Sequence, residues 1–298
     1  MKMIEKRVAA LGFFDGVHIG HAALLKRVIE ISRETGLNPS VITFDTLPQN
    51  FFGSDYIMLI NSIEDRIGCI RRMFGIDNVI CLPFDRAMAI KPWDDFIDTL
   101  IIDYDIRHFV TGENFRFGKG ASGSSKLLND MCRESGFGCD IITSVMHDSI
   151  VCSSTNIREL LLQGDIELAN AFLGHNHVLS GIVRSGQRIG RTLGKPTINM
   201  HFPNGVLVPA FGVYATKVYI ENNTELYGVT NIGIRPTVDD SGLVTAETFI
   251  FDFEESLYDT QVRLEFCKYL RPEQKFSNTN ELKKQIQKDC KAALNYFK

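Results

Sequence analysis

The sequence lacks a long apolar run, a basic excess and a paired pattern of cysteines, and each absence removes a class of protein. No stretch approaches the roughly 20 apolar residues that a membrane-spanning helix needs, so no membrane partner is expected. Lysine and arginine number 32 against 36 aspartates and glutamates, a formal charge of −4. The cations are scattered and form no stripe of the kind a long phosphate backbone requires, which argues against a nucleic-acid partner. Seven cysteines, at 69, 81, 132, 139, 152, 267 and 290, contain no C-x-x-C pair and no regular spacing that would indicate a disulfide framework. They read as buried free thiols in a reducing cytosol. The chain starts basic, but its apolar run from Val8 to Phe14 is broken by Asp15 and lacks a signal-cleavage pattern. A soluble, cytoplasmic protein is the expectation, a monomer or weak homo-oligomer.

What is present argues for two domains. At 298 residues the chain exceeds a typical single domain, and two of roughly 100–200 residues each are expected. Apolar runs predict strands at 7–14, 40–44, 78–82, 107–111 and 139–144, and helical spacing falls between them at 21–34, 62–74, 93–102 and 124–135. This alternation predicts an α/β domain, a parallel sheet with helices on both faces. Ligands of such sheets bind beyond the carboxyl ends of the strands. Past His177 the texture changes to glycine-punctuated strands at 178–184, 211–220, 225–232, 244–253 and 257–266, which predicts an antiparallel barrel or sandwich. A last helix runs to Phe297 with Leu282, Ile286, Cys290 and Leu294 on one face, after capping candidates Ser277 to Asn280. The boundary is placed near 174–178, giving domains 1–175 and 176–298.

Two segments carry chemistry. In Gly12-Phe13-Phe14-Asp15-Gly16-Val17-His18-Ile19-Gly20-His21 a strand gives way to a helix, and two histidines flank a glycine. The backbone can approach a triphosphate there, with both imidazoles and the helix N-terminus toward its oxygens. Direct attack on an α-phosphate needs no protein nucleophile, so positioning and electrostatics suffice. The plain alternative is two surface histidines at a helix start. Downstream, Gly112 to Gly120 puts Asn114 and Arg116 on a glycine-rich loop at the same sheet edge, where arginine can meet phosphate, unless the loop only plugs the core with its phenylalanines. Ser153-Ser154-Thr155-Asn156-Ile157-Arg158 opens another helix, which ordinary capping would also explain.

The second segment, Gly181 to Asn199, includes Gly186, Gly190, Arg191 and Gly194, glycines enough for a backbone that folds closely around phosphates, or simply for turns. Thr197 and Asn199 offer neutral oxygens suited to a hydrated magnesium ion, Mg2+. Alternation over 245–253 predicts Glu247 on the same face as Phe249, Phe251 and Phe253. A carboxylate on an apolar face is costly unless paired or functional, and beside a substrate hydroxyl it can serve as general base. The opposite register would bury Asp252 and expose three phenylalanines.

Phe14 to His21, Thr43-Phe44-Asp45, Asn114 to Gly118 and Ser153 to Arg158 stand in the order seen in the prokaryotic bifunctional riboflavin kinase/FMN adenylyltransferase (FAD synthetase) family, which the chain resembles nearly end to end. The resemblance implies a Rossmann-like nucleotidyltransferase domain with an HxGH motif, then a β-barrel riboflavin kinase domain. It implies that riboflavin and ATP give FMN, that FMN and ATP give FAD, and that magnesium serves both. His18 and His21 would attend the ATP phosphates in a cradle that includes Gly12, Phe13, Asp15, Gly16 and Gly20. Asn114 would lie in the nucleotide site, and Ser154, Thr155 and Arg158 would contact phosphate. The Gly-x-Pro-Thr-x-Asn signature matches Gly194 to Asn199, implying magnesium-ATP binding by Thr197 and Asn199 and a base role for Glu247. The Leu270 to Phe276 stretch, with Arg271, would lie near the flavin. The chain departs from the family at Thr46-Leu47-Pro48, where Pro-His-Pro is usual, and at Ala121 to Ser124, where Arg-x-Gly-Asp is usual. Lys195 replaces a frequent aromatic and Phe249 a frequent histidine. The departures keep three alternatives open: a riboflavin kinase with a degenerate transferase half, a non-catalytic flavin-binding regulator, and a transferase acting on another phosphate acceptor.

Overall fold

The computed structural model describes residues 5–53, 55–184, 197–234 and 244–298. Contacts divide the chain into two units, Met1–Met58 with Arg66–Ser153, and Leu59–Asp65 with Ser154–Lys298.

The first unit is built on five parallel strands: β1 Arg7–Leu11, β2 Asn38–Phe44, β3 Asn78–Leu82, β4 Ile106–Gly112 and β7 Gly138–Ile142, in the order β3-β2-β1-β4-β7. Two short strands, β5 Arg116–Phe117 and β6 Gly123–Ser124, form a hairpin between β4 and β7, and β8 Met146–His147 with β9 Ile150–Val151 form another after β7. The helices are α1 Ile19–Thr35, α2 Pro48–Phe52, α3 Ile63–Phe74, α4 Arg86–Ile90, α5 Trp93–Tyr104 and α6 Ser125–Ser135. Alternation along β1 sends Ala9 and Leu11 into one core with Phe96, Ile97 and Leu100 of α5 and Leu128 and Cys132 of α6. Val8 and Ala10 point the other way and are fully buried, on the side that α1 covers. The sheet is thus sandwiched between helices, as the alternation predicts.

Sequence periodicity places these elements well and their ends less well. β1 stops at Leu11 rather than Phe14: the Gly12 N–H still bonds the Ile42 carbonyl at 3.2 Å, and then Phe14 turns into the left-handed region with φ 60°. α1 starts two residues earlier than predicted, because His18 is its cap. It ends at Gly36, whose φ of 73° suits glycine and whose N–H bonds the Ser32 carbonyl at 2.9 Å.

The second unit contains α7 Ser154–Gln163, α8 Ile166–Leu173, and a six-stranded antiparallel sheet of β10 His177–Ile182, β11 Thr197–His201, β12 Gly212–Tyr219, β13 Glu225–Ile234, β14 Val244–Ile250 and β15 Gln261–Pro272. The strand order is β10-β15-β12-β13-β14-β11. Its edge strands approach each other: the Arg184 N–H, just past β10, bonds the Asn199 carbonyl of β11 at 2.9 Å, curling the sheet into a barrel. Inside, Thr216, Thr230 and Thr248 form a buried hydroxyl ladder across three strands with 2.8 Å spacings. Outside, α9 Thr279–Phe297 packs Ala293 and Cys290 on Val213, Ala215 and Val229. Asn278 caps α9, its side chain accepting from Glu281 N–H at 3.0 Å.

Two expectations are corrected. Leu294 is exposed, and the buried stripe runs instead through Asp289 and Ala293. A four-residue repeat drifts about 40° per step on a helix of 3.6 residues per turn, so Leu282 and Leu294 cannot share a narrow face. β14 ends at Ile250 because Asp252 takes φ 52° and turns the chain, so Phe251 and Phe253 are not on the strand with Glu247. The seven cysteines are unpaired; Cys69, Cys132, Cys152 and Cys267 are buried and the other three half-buried. Among the described residues no helix is long and apolar enough to cross a membrane.

His177 of β10 is buried beside Phe266, and burial first, then His175, pushes its imidazole down to about 3. The unfolded chain binds the proton that the folded chain refuses. This stabilisation is therefore complete above an unfolded value of about 6.5 and is lost as pH falls toward 3, by at most ~1.4 kcal/mol per pH unit. Denaturant unfolding of His177→Phe at pH 7 and pH 4.5 should show a shallower acid loss than the wild type; equal slopes would remove His177 as a cause.

Candidate active sites

The cleft at the carboxyl ends of β1, β4 and β7 has a volume of ≈ 260 Å³ and is lined by Gly12, Phe13, Phe14, His18, Gly20, His21, Asn114 and Cys152, among others. His18 caps α1, its Nδ1 accepting from the His21 N–H at 3.3 Å. The two imidazoles stack with centroids 3.6 Å apart and planes at 16°. Gly20 permits this: a Cβ there would stand 3.0 Å from Cε1 and Nδ1 of His18. Burial, then His18, then Arg66 hold the His21 imidazole well below its ordinary range, so it is neutral in this state. Asn114 reaches the same cleft from the loop after β4. That loop is tied to the β7 loop through Glu113, whose carboxylate accepts from the Ser144 hydroxyl at 2.5 Å and its N–H at 2.8 Å and is lowered by both. Asp15 and Gly16, predicted in the cradle, form a buried one-turn segment and do not line the cleft.

Arg116, predicted beside Asn114, faces elsewhere. It lines a second cavity of ≈ 690 Å³ whose walls are Phe13, Phe44, Phe52, Phe84, Phe96, Phe115 and Phe117, and it is the only charged residue there. Phe44 and Phe52 each meet Phe84 edge to face, at 5.5 and 6.1 Å. Gly118 is needed for this loop: it has φ 73°, and a Cβ would lie 2.6 Å from Trp93. Leu47 and Ala121, two of the departures from the family pattern, belong to this aromatic cavity, while Ser124 caps α6 by accepting from Leu127 N–H at 3.2 Å. Phe13 and Phe115 line both cavities.

Ser154 and Thr155 form the first turn of α7 and Arg158 the second, and contacts assign all three to the second unit. In that unit the barrel register assembles another site. Asn199, Glu247 and Asn231 are directly opposed across β11, β14 and β13, and Thr197, Phe249 and Val229 form the next row on the same face. The Thr197 hydroxyl donates to Glu247 Oε1 at 3.0 Å. A pocket of ≈ 250 Å³ opens over this face, bounded by Thr197, Asn231, Glu247, Phe249, Glu273 and Phe276, with Leu282 and Ile286 of α9 as its lid. The predicted sharing of one side by Glu247 and Phe249 is therefore seen, although Ala246, Thr248 and Ile250 fill the barrel interior. Arg271 lines the pocket but is committed: its guanidinium grips Asp289 of α9 through bonds of 2.7, 2.9 and 3.1 Å. Gly186, Gly190, Arg191, Gly194 and Lys195 lie outside the described residues.

The matches to known proteins follow this division. A family model described as FAD synthetase matches residues 1–156, and one described as riboflavin kinase matches residues 173–297. A Bacillus subtilis (strain 168) protein named bifunctional riboflavin kinase/FMN adenylyltransferase is 37% identical over 98% of this chain and 93% of its own length. The chain belongs to the bifunctional riboflavin kinase/FMN adenylyltransferase family. An Escherichia coli (strain K12) protein of the same name is 34% identical, again over 98% of this chain and 93% of its own length. A solved chain titled macrolide-efflux protein from Streptococcus pneumoniae has a TM-score of 0.83 over 96% of this chain and 92% of that one, at 26% identity. Its title names a different activity, and the likeness is one of fold.

Family membership gives meaning to residues that sequence reasoning missed. Asn231 and Glu273 border the pocket of the riboflavin kinase half. Arg66, in the FAD synthetase half, is completely buried yet charged. A signal for it exists: Arg66, Cys69 and Ile70 follow the i, i+3, i+4 spacing of a buried stripe, with an arginine where an apolar residue is usual. Gly20→Ala should press on the His18 ring and lower FAD formation from supplied FMN by about tenfold or more, a misplacement effect, with FMN formation from riboflavin as the control. Unchanged FAD formation would show that the stacked histidines tolerate displacement.

Proposed function

We propose that the cavities divide the family's two reactions: the histidine cleft and its aromatic neighbour carry adenylyl transfer, and the barrel pocket carries riboflavin phosphorylation. The chain is an enzyme of flavin cofactor synthesis, a riboflavin kinase and FMN adenylyltransferase. Its substrates are small molecules, riboflavin, FMN and ATP, and FAD is a product. The cytoplasm, which supplies ATP, is the compartment this reading implies.

One observation carries the kinase assignment: the row Asn199–Glu247–Asn231, with Thr197 bonded to Glu247, beneath an apolar pocket wide enough to admit a ring. Glu247 removes the proton of the riboflavin 5′-hydroxyl as that oxygen bonds the γ-phosphorus of ATP and the bond to the ADP oxygen breaks. Phe249 and Phe276 offer the flavin apolar surface. Thr197 and Asn199, two neutral oxygen donors beside one carboxylate, fit a magnesium ion that keeps most of its waters. When bound, magnesium neutralises charge on the ATP phosphates. Arg271 serves the site indirectly, by docking α9 over it through Asp289.

For adenylyl transfer, the FMN phosphate attacks the α-phosphorus of ATP and pyrophosphate leaves. FMN already carries the anionic nucleophile, so no base is needed. The isoalloxazine ring fits among the phenylalanines of the aromatic cavity, with Arg116 as the cation for its phosphate. The α1 N-terminus, His18 and His21 receive the ATP phosphates. His21, neutral before ATP arrives, gains affinity for a proton as phosphate charge approaches. Asn114 holds the nucleotide, and Ser154, Thr155 and Arg158 are assigned to phosphate by their match to the family motif.

Chromatography of riboflavin, ATP and magnesium incubations should show FMN first and FAD afterwards; FMN accumulating from either starting flavin would restore the degenerate-transferase alternative. Glu247→Gln should lower FMN formation by roughly 10²–10⁴-fold while riboflavin still binds, and undiminished turnover would remove Glu247 as the base. His21→Ala should suppress FAD formation without slowing the kinase, whereas equal loss of both activities would indicate unfolding.

A further inference from the structure

Arg66 is the largest fully buried side chain among the described residues. Its Nη1 donates to the Phe13 carbonyl at 2.8 Å, its Nη2 donates to the Phe44 carbonyl at 2.7 Å, and its guanidinium lies over the Phe13 ring with the carbon 4.2 Å from the centroid. The Thr43 hydroxyl donates to the same Phe13 carbonyl at 2.9 Å. Phe13 is therefore held at its main chain from two sides and at its ring from one face. The chain just beyond it is contorted: Phe14, Gly16 and Val17 have φ of 60°, 80° and 46°. Phe13 also lines both the histidine cleft and the aromatic cavity.

We propose that Arg66 is a positioning residue for adenylyl transfer, acting through Phe13, the wall shared by the nucleotide cleft and the flavin cavity. The inference rests on assigning the transferase reaction to these two cavities. Direct displacement at phosphorus requires the attacking oxygen in line with the leaving group, so the reaction depends on how the two substrates are set relative to each other. A wall common to both cavities sets that relation. Burying a guanidinium is costly, and an apolar side chain of similar volume would fill the space without that cost. What an apolar residue cannot do is satisfy two carbonyls at the ends of two strands while stacking on a ring. Lysine, with a single nitrogen and no plane, reproduces one carbonyl bond at most and none of the stacking.

The test uses the full-length chain and measures FAD formation from FMN and ATP, with FMN formation from riboflavin in the same preparations. Arg66→Lys should raise the KM for FMN at least about tenfold, because a displacement near 1 Å can cost that much or more, and leave the kinase kcat/KM unchanged. Thr43→Val, which removes the second donor to the Phe13 carbonyl, should shift the same constant in the same direction by less. Phe13→Leu should raise it too, and the Arg66→Lys/Phe13→Leu double variant should be no worse than the poorer single variant, since both act through one ring. Arg66→Lys with unchanged transferase constants and only a lower melting temperature would overturn the inference and leave Arg66 as a structural residue. Multiplying effects of Arg66→Lys and Phe13→Leu would overturn it as well. A wild-type chain that makes FMN but no FAD would instead overturn the transferase assignment, and the inference with it.

Discussion

Adjacent parallel strands β1 and β2 run out toward the loops that build the nucleotide cleft, and the carbonyls of Phe13 and Phe44 just at those ends need donors that the sheet does not supply. The buried guanidinium of Arg66 supplies both. Much of the first unit's chemistry follows from that arrangement. With Phe13 fixed, the chain passes through its positive-φ residues into the cap of α1, and the cap is a histidine rather than a serine or aspartate. A histidine cap occupies its Nδ1 with the helix and sets its ring in the plane where His21 stacks. The helix N-terminus and two imidazoles thereby converge on one volume, which is the requirement for binding several phosphate oxygens at once.

In the second unit register takes the place of that clamp. Side chains directly opposed across antiparallel strands share a face, and shifting any strand by one residue would send its members to the other side. Asn199, Glu247 and Asn231 meet because β11, β14 and β13 are aligned in that register. The threonine ladder on the opposite face helps to hold the alignment: Thr216, Thr230 and Thr248 satisfy one another only when the strands are in step. α9 then converts an exposed sheet face into a pocket, and the Arg271–Asp289 pair orients it.

The strand and helix periodicities made the α/β half and the barrel legible, and even the change of architecture near His177 could be read from the disappearance of helical spacing. Element ends were less legible, because they depend on single hydrogen bonds and single φ values, such as those at Gly12, Phe14 and Asp252, that periodicity does not report. Of the site residues, His18, His21, Asn114, Thr197, Asn199 and Glu247 were readable from motifs and are brought to cavities by the fold. Arg116 was legible as a cation near the cleft but not as the charge of a separate aromatic cavity, since β5 turns it away from Asn114. Arg271 was placed near the flavin, yet its partner lies 18 residues away on a helix, where no local pattern could show it. Arg66 was overlooked because an arginine on an amphipathic helix is ordinarily taken for its solvated side.

Both reactions consume ATP, yet they attack different phosphorus atoms, and the two acceptors explain why the sites differ. Riboflavin presents a hydroxyl, which is a poor nucleophile until its proton is taken, so the kinase pocket holds a carboxylate at the level of its substrate oxygens. FMN presents a phosphate, already ionised, and a carboxylate beside it would repel it. No carboxylate lines the aromatic cavity; its one charge is the guanidinium of Arg116. Glu113, the nearest acid on the neighbouring cleft, is occupied by the hydroxyl and N–H of Ser144. The placement of negative charge, present in one pocket and withheld from the other, is what the chemistry of a hydroxyl and a phosphate acceptor requires.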